Sequence, residues 1–204
     1  MLSRRGDEYA IRLRGAELMN SRAHQSEERL ATLGCAGLGA KPGARVLIGG
    51  LGMGFTTRAA LDVLPADAKL TVVELVPAVI EWNRGPLASL AQHPLDDPRV
   101  EVVLEDVRTL IGEADGEFDA ILLDVDNGPD AFTAPSNAAL YGVPGLKRAR
   151  RALVSGGVLG VWSVEDDRAF TGRLTGVGFS VEQHRVPPRP GSGARHVLWI
   201  ARAP

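Results

Sequence analysis

The stretch of residues 45–54 reads RVLIGGLGMG, and it decides the fold class of this 204-residue chain. Its apolar first half is typical of a short strand buried on both faces, as in a parallel sheet. Its glycines lead into a segment with helical spacing. The same order recurs along the chain, with strands predicted at 70–74, 100–104, 118–124 and 157–162 and helices at 55–64, 77–90, 107–111 and 146–153. This alternation predicts an α/β protein with a doubly wound, mostly parallel sheet.

The end of the chain departs from this alternation. Residues 179–186 and 196–201 have the composition of strands, and the segment 187–193 between them is rich in Pro and Gly without helical spacing. A connection of that length joins antiparallel strands more easily than parallel ones. We therefore expect a C-terminal antiparallel hairpin.

The N-terminal segment also differs from the rest. Residues 9–13 alternate like a strand, and residues 22–33 have helical spacing with Ser21 as their predicted N-cap. A glycine-rich stretch follows. We expect residues 1–40 to form a short appendage of strands and one helix, and residues 41–204 to form the cofactor-binding domain. Short N-terminal strands need pairing partners, so we also expect a homodimer.

Composition excludes several classes of protein. Lys and Arg number 23 against 25 Asp and Glu, so no basic excess points to nucleic acid or to an anionic membrane surface. The single cysteine, Cys35, excludes an internal disulfide framework and indicates a reducing compartment. No apolar run reaches membrane-spanning length, so we expect a cytoplasmic protein. His184 and His196 have no partners at ligand spacing, and we expect no metal.

The glycine loop and the strand after it predict a nucleoside cofactor. Gly50, Gly52 and Gly54 have G-x-G-x-G spacing, which lets the backbone approach a ligand closely. Glu74 follows at the end of the next strand, where a carboxylate accepts hydrogen bonds from both ribose hydroxyls. A dinucleotide fingerprint needs Gly or Ala where Phe55 stands, so the loop favours S-adenosylmethionine over NAD. A glycine turn without a ligand is the alternative.

Two further acids follow strands of the predicted sheet. Asp106 comes after the third strand, where it can accept a hydrogen bond from an adenine amino group. Its alternative role is to cap the helix that begins at Val107. Asp124 ends the fourth strand and is expected at the open edge of the sheet, where ligands bind. Turn chemistry explains Asp126 and Gly128, whereas we expect a functional role for Asp124.

These residues resemble the spermidine synthase family, a branch of the class I S-adenosylmethionine-dependent methyltransferase superfamily with its Rossmann-like fold. The matching motifs are residues 46–50, 72–81 (VVELVPAVIE), 105–107 and 118–124, within a resemblance that runs from residue 18 to residue 162. It implies that Glu74 binds the ribose, that Asp106 binds the adenine, and that Asp124 lies beside the nucleophilic amine. The cofactor-binding residues that we expect are Gly49, Gly50, Gly52, Gly54, Glu74, Leu75, Asp106, Val107 and Asp124.

Three catalytic residues are expected: Asp124, Tyr141 and His24. Asp124 would orient or deprotonate an amine or hydroxyl. Tyr141 stands where the family has an aromatic pair ending in Tyr, with core packing as the alternative. His24 would act as a neutral imidazole near neutral pH, with a structural role as the alternative. Arg22 and Glu28 either close the same pocket or form a solvated face.

The departures from the family pattern bear on the reaction. Gly52 replaces the family's Asp at the amine end of decarboxylated S-adenosylmethionine, Asn127 replaces a second acid for the diamine, and residues 26–28 replace a Tyr-His-Glu-like run. A diamine dication needs several carboxylates, so these losses favour methyl transfer from S-adenosyl-L-methionine to a small-molecule amine or hydroxyl. Aminopropyl transfer from decarboxylated S-adenosylmethionine and a non-catalytic cofactor-binding module are the alternatives. An NAD oxidoreductase is a further alternative, and Phe55 argues against it.

Overall fold

A computed structural model describes residues 1–13, 15–125 and 139–204 of the chain. Within these ranges, the strands are β1 (Leu2–Arg5), β2 (Glu8–Leu13), β3 (Ala16–Asn20), β4 (Arg45–Gly49), β5 (Lys69–Glu74), β6 (Val100–Leu104), β7 (Phe118–Leu123), β8 (Leu153–Ser163), β9 (Ser180–Val186) and β10 (His196–Arg202). The helices are α1 (Gln25–Gly34), α2 (Phe55–Val63), α3 (Pro77–Arg84), α4 (Val107–Glu113), α5 (Val143–Ala152) and α6 (Arg168–Gly176), with 3₁₀ turns at Ala88–Ala91 and Pro94–Asp96.

The larger sheet confirms the predicted fold class. Its seven strands run in the order β6-β5-β4-β7-β8-β10-β9. Strands β4 to β8 pair in parallel, whereas β10 is antiparallel to both β8 and β9. The strand order reverses direction between β4 and β7, which is the switch point where open α/β sheets bind ligands. The glycine loop begins at this point.

Side chains alternate across the sheet and build one core on each face. Leu47 of β4 packs with residues of α4, α5 and α6, while its neighbours Val46 and Ile48 pack on the other side with α1 and α2. Leu30 and Ala31 of α1 are fully buried in that second core. Helix α1 is therefore part of the main layer, although the boundary predicted at residue 40 assigned it to the appendage.

Three local predictions differ from the structure. Helix α1 begins at Gln25, and the hydroxyl of Ser21 accepts a hydrogen bond from the Tyr9 N–H instead of capping a helix. The helix predicted at 77–90 ends at Arg84, because Pro86 lacks an N–H and restricts the residue before it. Helix α6, which the sequence analysis did not predict, begins after Asp167, whose carboxylate accepts from the Phe170 N–H at 3.0 Å.

A separate antiparallel sheet of β1, β2 and β3 lies over the glycine loop. Ile11 and Met19 of this sheet pack with Met53 and Leu87 of the main domain. The methyl carbon of Met19 lies 2.8 Å from where a Cβ at Gly52 would stand, so this sheet covers the loop closely. The expected homodimer stays a prediction. Among the residues that the structure describes, no helix is long and apolar enough to cross a membrane.

Candidate functional site

A cavity of about 490 Å³ lies at the carboxyl ends of the parallel strands. Its floor is the edge of the main sheet with the glycine loop, and the small N-terminal sheet forms part of its wall. The volume is within the range of small-molecule sites. The described residues that carry its chemistry are Gly50, Gly52, Glu74, Asp106, Asp124, Glu27, Trp162 and His196.

The glycine loop needs glycine at its first turn. Gly50 has φ +90°, and a Cβ there would stand 2.3 Å from the carbonyl oxygen of Asp124. The turn is held by the Gly50 N–H, which donates to the Val73 carbonyl at 2.9 Å. Gly54 has φ +86° and is the N-cap of α2. Of the four predicted glycines, Gly50 and Gly52 line the cavity, while Gly49 packs against Val107.

Glu74 is held rigidly at the end of β5. Its Oε2 accepts a hydrogen bond from the Leu51 N–H at 3.0 Å, and its Oε1 accepts from the Val76 N–H at 2.9 Å. Each oxygen retains a second lone pair for a ligand donor. Leu75 and Val76 are 64% and 46% exposed and form an apolar rim beside this carboxylate. The arrangement fits a ribose with an adjoining flat apolar base.

Asp106 has the capping role that the sequence left open, and its predicted contact with adenine stays a prediction. Its Oδ1 accepts from the Arg108 N–H at 2.9 Å, so it caps α4, and the residue also lines the cavity. Hydrogen bonding to the Arg108 guanidinium, which approaches Oδ2 to 2.5 Å, lowers the pKa of Asp106. The carboxylate therefore stays ionised as an acceptor. Val107 follows on the cavity wall and is mostly buried in the core.

Asp124 stands at the centre of the site, one residue beyond β7. Its N–H donates to the Gly49 carbonyl at 2.9 Å, and its Oδ2 accepts from the hydroxyl of Thr56 at 2.6 Å. Thr56, in the first turn of α2, was not predicted as a site residue. Burial raises the pKa of Asp124 to about 6. A carboxyl group with that pKa is suited to exchange a proton near neutral pH.

Glu27 is a site residue that the sequence analysis missed. It lies on the inner face of α1 and lines a narrow recess of the cavity together with Gly52, Thr56 and Asp124. Burial, and then the charge of Asp124, raise the pKa of Glu27 to about 8. Its spacing from the buried Leu30 places Glu27 on the buried stripe of α1, and that periodicity could have revealed it.

Two predicted catalytic residues lie away from the cavity wall. His24 stacks on Phe55 with ring centroids 4.2 Å apart, and its Nδ1 lies 2.8 Å from Glu28 Oε1. Tyr141 is 1% exposed in the core and meets Phe170 edge to face. Neither position supports a direct role in catalysis. Arg22 pairs with the exposed Glu8 at 3.4 Å, which agrees with a solvated face.

The charge of the cavity is strongly one-sided. Six acidic residues line it, of which Glu27 is neutral near pH 7: Glu17, Glu27, Glu74, Glu105, Asp106 and Asp124. Lys and Arg are absent from the part of the lining that the structure describes. Such a lining favours cationic ligands, because one sign of charge in a concave site focuses the field. Asp126, Asn127 and Gly128, which the sequence analysis discussed, lie outside the described residues.

Comparison with known proteins identifies relatives of one family. The spermine/spermidine synthase domain family matches residues 29–165. Polyamine aminopropyltransferase 1 of Streptomyces coelicolor is 39% identical over 126 residues, which is 60% of this chain and 22% of that protein. The polyamine aminopropyltransferase of Mycobacterium tuberculosis is 33% identical over 163 residues, 78% of this chain and 29% of that protein. The chain thus spans less than a third of these relatives.

The crystal structure of spermidine synthase from Thermotoga maritima superposes with a TM-score of 0.76 at 23% identity. The superposition covers 96% of this chain and 66% of that one. At this level of identity the likeness shows the fold. It extends across the small N-terminal sheet as well as the main domain.

The expectation of methyl transfer is wrong, because the curated relatives are named as aminopropyltransferases. That expectation rested on the family acids missing at Gly52 and Asn127 and on the changed run at residues 26–28. The structure brings a further carboxylate, Glu27, into the recess beside Gly52, where the family's acid is absent. A residue from another element therefore supplies an acidic group near Gly52, although its raised pKa keeps it neutral near pH 7.

Proposed function

The chain belongs to the spermine/spermidine synthase family, and from that premise we propose that it transfers an aminopropyl group from decarboxylated S-adenosylmethionine to an amine. The observation that carries the proposal is the cavity wall, with six acidic residues and, among its described residues, neither Lys nor Arg. Both substrates of this reaction are cations. A wall of this charge attracts them and offers acceptors for their N–H groups.

The donor is placed along the sheet edge by the residues that line it. Glu74 accepts hydrogen bonds from the ribose hydroxyls, with Leu75 against the adenine and Asp106 at its amino group. Gly50 and Gly52 have no side chains, so the aminopropyl chain on the sulfur of the donor can pass close to the loop. The donor would thus extend from Glu74, which accepts a hydrogen bond from the Leu51 N–H, to the recess that contains Asp124.

The reaction needs an unprotonated amine in line with the activated carbon. Asp124 accepts a proton from the acceptor's ammonium group, and Thr56 fixes the carboxylate by donating to Oδ2. The neutral amine then attacks the aminopropyl carbon attached to sulfur. The C–S bond breaks, its electron pair stays on sulfur, and the products are methylthioadenosine and a secondary ammonium ion. Positioning supplies most of the acceleration, because the sulfonium is already activated.

Charge in the recess also selects the donor. Intact S-adenosylmethionine carries a carboxylate on the chain that the decarboxylated form lacks. Asp124 lines the recess at the end of the proposed path, and its charge would repel a second carboxylate there, whereas Glu27, whose pKa is raised to about 8, is neutral at pH 7. The site therefore favours the decarboxylated donor by excluding the intact one.

Calorimetric titration with the two donors tests this proposal. We expect the decarboxylated form to bind at least about tenfold more tightly, which corresponds to about 1.4 kcal/mol. Tighter binding of intact S-adenosylmethionine would contradict the proposal. Glu81→Gln is the matched control, because Glu81 is exposed on α3 and should leave both affinities unchanged.

A further inference from the structure

Three hydrogen bonds meet at the hydroxyl of Ser26, which is fully buried. Its Oγ lies 2.7 Å from Glu27 Oε2, 2.8 Å from His196 Nδ1 and 3.0 Å from Trp162 Nε1. Ser26 and His196 are 170 residues apart in sequence. A buried chain of polar atoms therefore links the catalytic recess, through Glu27, to a histidine at the start of β10.

Donor and acceptor rules allow this cluster two arrangements. The indole N–H of Trp162 can only donate, so it occupies one lone pair of Ser26 in both. The hydroxyl has a single proton and can donate to Glu27 or to His196, not to both. When Glu27 is protonated, it donates to Ser26, and Ser26 donates to Nδ1 of His196. When Glu27 is ionised, Ser26 donates to Glu27, and His196 must donate from Nδ1.

We propose that Glu27, Ser26 and His196 form a proton relay, in which a proton that arrives at Glu27 leaves from Nε2 of His196. In turnover, the relay rests on the proposed aminopropyl transfer: it removes the acceptor's proton from Asp124 through the recess that the two carboxyl groups share. Glu27, Ser26 and His196 thereby reset Asp124 without contacting the reacting carbon.

Each step of the relay conserves protons and breaks no heavy-atom bond. Glu27 passes its proton from Oε2 to Ser26 Oγ, while the original proton of Ser26 moves to Nδ1 of His196. His196, now an imidazolium, releases the proton from Nε2. The cluster ends with an ionised Glu27 that accepts from Ser26, and with Nδ1–H of His196 donating to Ser26. A proton from Asp124 then neutralises Glu27, and rotation of the hydroxyl with exchange of the imidazole proton with water restores the first arrangement.

The surroundings place the exit where water can reach it. His196 is half-buried, lines the larger cavity and packs edge to face against Trp162. Burial lowers the pKa of His196, so the imidazolium form gives up its proton readily. The charged groups that act on Glu27 are Asp124 at the sheet edge and Glu28 on α1, and both raise its pKa. Burial is the larger cause, and together these effects keep a proton on Glu27 near neutral pH.

Nitrogen NMR of the ligand-free protein, labelled with ¹⁵N at its four histidines, tests the relay without any substrate. His196 is assigned by the signal lost in His196→Gln. As pH rises through the ionisation of Glu27, near 8, we expect the proton of the neutral ring to move from Nε2 to Nδ1. The two nitrogens would exchange their pyridine-type and pyrrole-type shifts. A tautomer that stays fixed from pH 6 to 9 would overturn the relay.

Variants separate the relay from ordinary titration. Glu27→Gln and Ser26→Ala should each fix the tautomer at all pH values, whereas Ser26→Thr keeps the hydroxyl and should keep the switch. Glu28→Gln is the matched control on the same helix, because its carboxylate pairs with His24. It should retain the switch at a slightly lower pH. A pH-dependent switch that persists in Glu27→Gln would contradict the proposal.

Kinetics show whether turnover uses the relay. His196→Gln can keep the hydrogen bond to Ser26 but cannot carry a proton, and we expect kcat to fall about tenfold with KM nearly unchanged. The matched control is His184→Gln on β9, for which we expect no change. Unchanged kcat in His196→Gln would overturn the catalytic use of the relay. A tautomer switch in a chain that transfers no aminopropyl group would instead refute the proposed function and leave the relay intact.

Discussion

The two ends of strand β7 carry one aspartate each, and their surroundings are opposite. Asp119, near the start of the strand, is 4% exposed, accepts from the Arg45 N–H at 2.8 Å and pairs with the ammonium group of Lys41. Asp124, just beyond the other end, accepts from the neutral hydroxyl of Thr56 and faces the recess shared with Glu27. The first acid is neutralised, whereas the second is left beside another acid.

This difference separates a structural carboxylate from a functional one. A buried acid that serves the fold is stabilised by a cation and a backbone donor. A pair of buried acids without a cation destabilises the empty protein, because each disfavours the ionised form of the other. The rest of the fold must therefore offset the repulsion between the two acids, and a cationic ligand reduces that repulsion.

Asp124→Asn should lower kcat by about 10²- to 10⁴-fold, because the variant cannot accept the proton of the amine. Its stability should be unchanged or higher, since a buried charge is removed. Asp119→Asn is the opposite case, with a loss of about 1–3 kcal/mol in stability and full turnover per folded molecule. Urea unfolding and steady-state assays of both variants make the comparison. Equal losses of stability with equal turnover would refute it.

Gly50→Ala should destabilise the site end of the sheet by about 2–4 kcal/mol. The new Cβ would stand 2.3 Å from the Asp124 carbonyl oxygen at a φ of +90°. Gly112→Ala is the matched control, because Gly112 lies in α4 with open space around it. That change should stabilise the protein by up to about 1 kcal/mol. Urea midpoints that shift in the same direction would be inconsistent with a strained loop.

Glu74→Gln should weaken binding of the decarboxylated donor by about 10- to 100-fold. The amide loses the charge that strengthens hydrogen bonds to the ribose, and its NH₂ group competes with the N–H donors of Leu51 and Val76. Calorimetry measures the affinity, with Glu81→Gln as the exposed control. If Glu74→Gln bound the donor as tightly as the parent chain, this carboxylate would not hold the ribose.

Glu27→Gln should stabilise the protein in a pH-dependent way. Burial raises the pKa of Glu27 from 4.5 to about 8, so the folded chain holds this proton more tightly than the unfolded chain. The contribution of Glu27 to stability is therefore present below pH 4.5 and is lost as pH rises towards 8. The variant should gain about 1–3 kcal/mol over the parent chain above pH 8 and nothing at pH 4.

Thermal unfolding at several pH values measures this gain, at about 2–4 °C for each kcal/mol. Glu28→Gln is the control, because its carboxylate is 45% exposed and pairs with His24. If the gain in stability of Glu27→Gln did not vary with pH, ionisation of Glu27 would not be what destabilises the parent chain.

The fold was predictable from sequence where one local pattern determines one element. Strand β6 begins and ends where its apolar run predicts, and β4 extends its predicted range by Gly49 alone. Strand β4 leaves this signal because it is buried on both faces, whereas β6 is an edge strand whose run is apolar apart from the exposed Glu101. Helix α6 was missed because it is short and polar, and its clearest signal is the capping residue Asp167.

The site was predictable only in part, for a related reason. Glu74, Asp106 and Asp124 follow neighbouring parallel strands, whose ends meet at one edge. Glu27 reaches the same edge from α1, and His196 from β10, and no local pattern joins these elements. The error over the reaction followed from this gap, because residues 26–28 were interpreted only as a departure from the family pattern. Packing across the whole chain, rather than any motif, brings the acids together.

Product analysis distinguishes aminopropyl transfer from methyl transfer. The protein is incubated with a diamine and either decarboxylated or intact S-adenosylmethionine, and the products are identified by mass spectrometry. The account predicts methylthioadenosine and an aminopropylated amine in equal amounts from the decarboxylated donor, and no product from the intact one. A methylated amine with S-adenosylhomocysteine from the intact donor would contradict it, as would a decarboxylated donor that binds but never transfers its aminopropyl group.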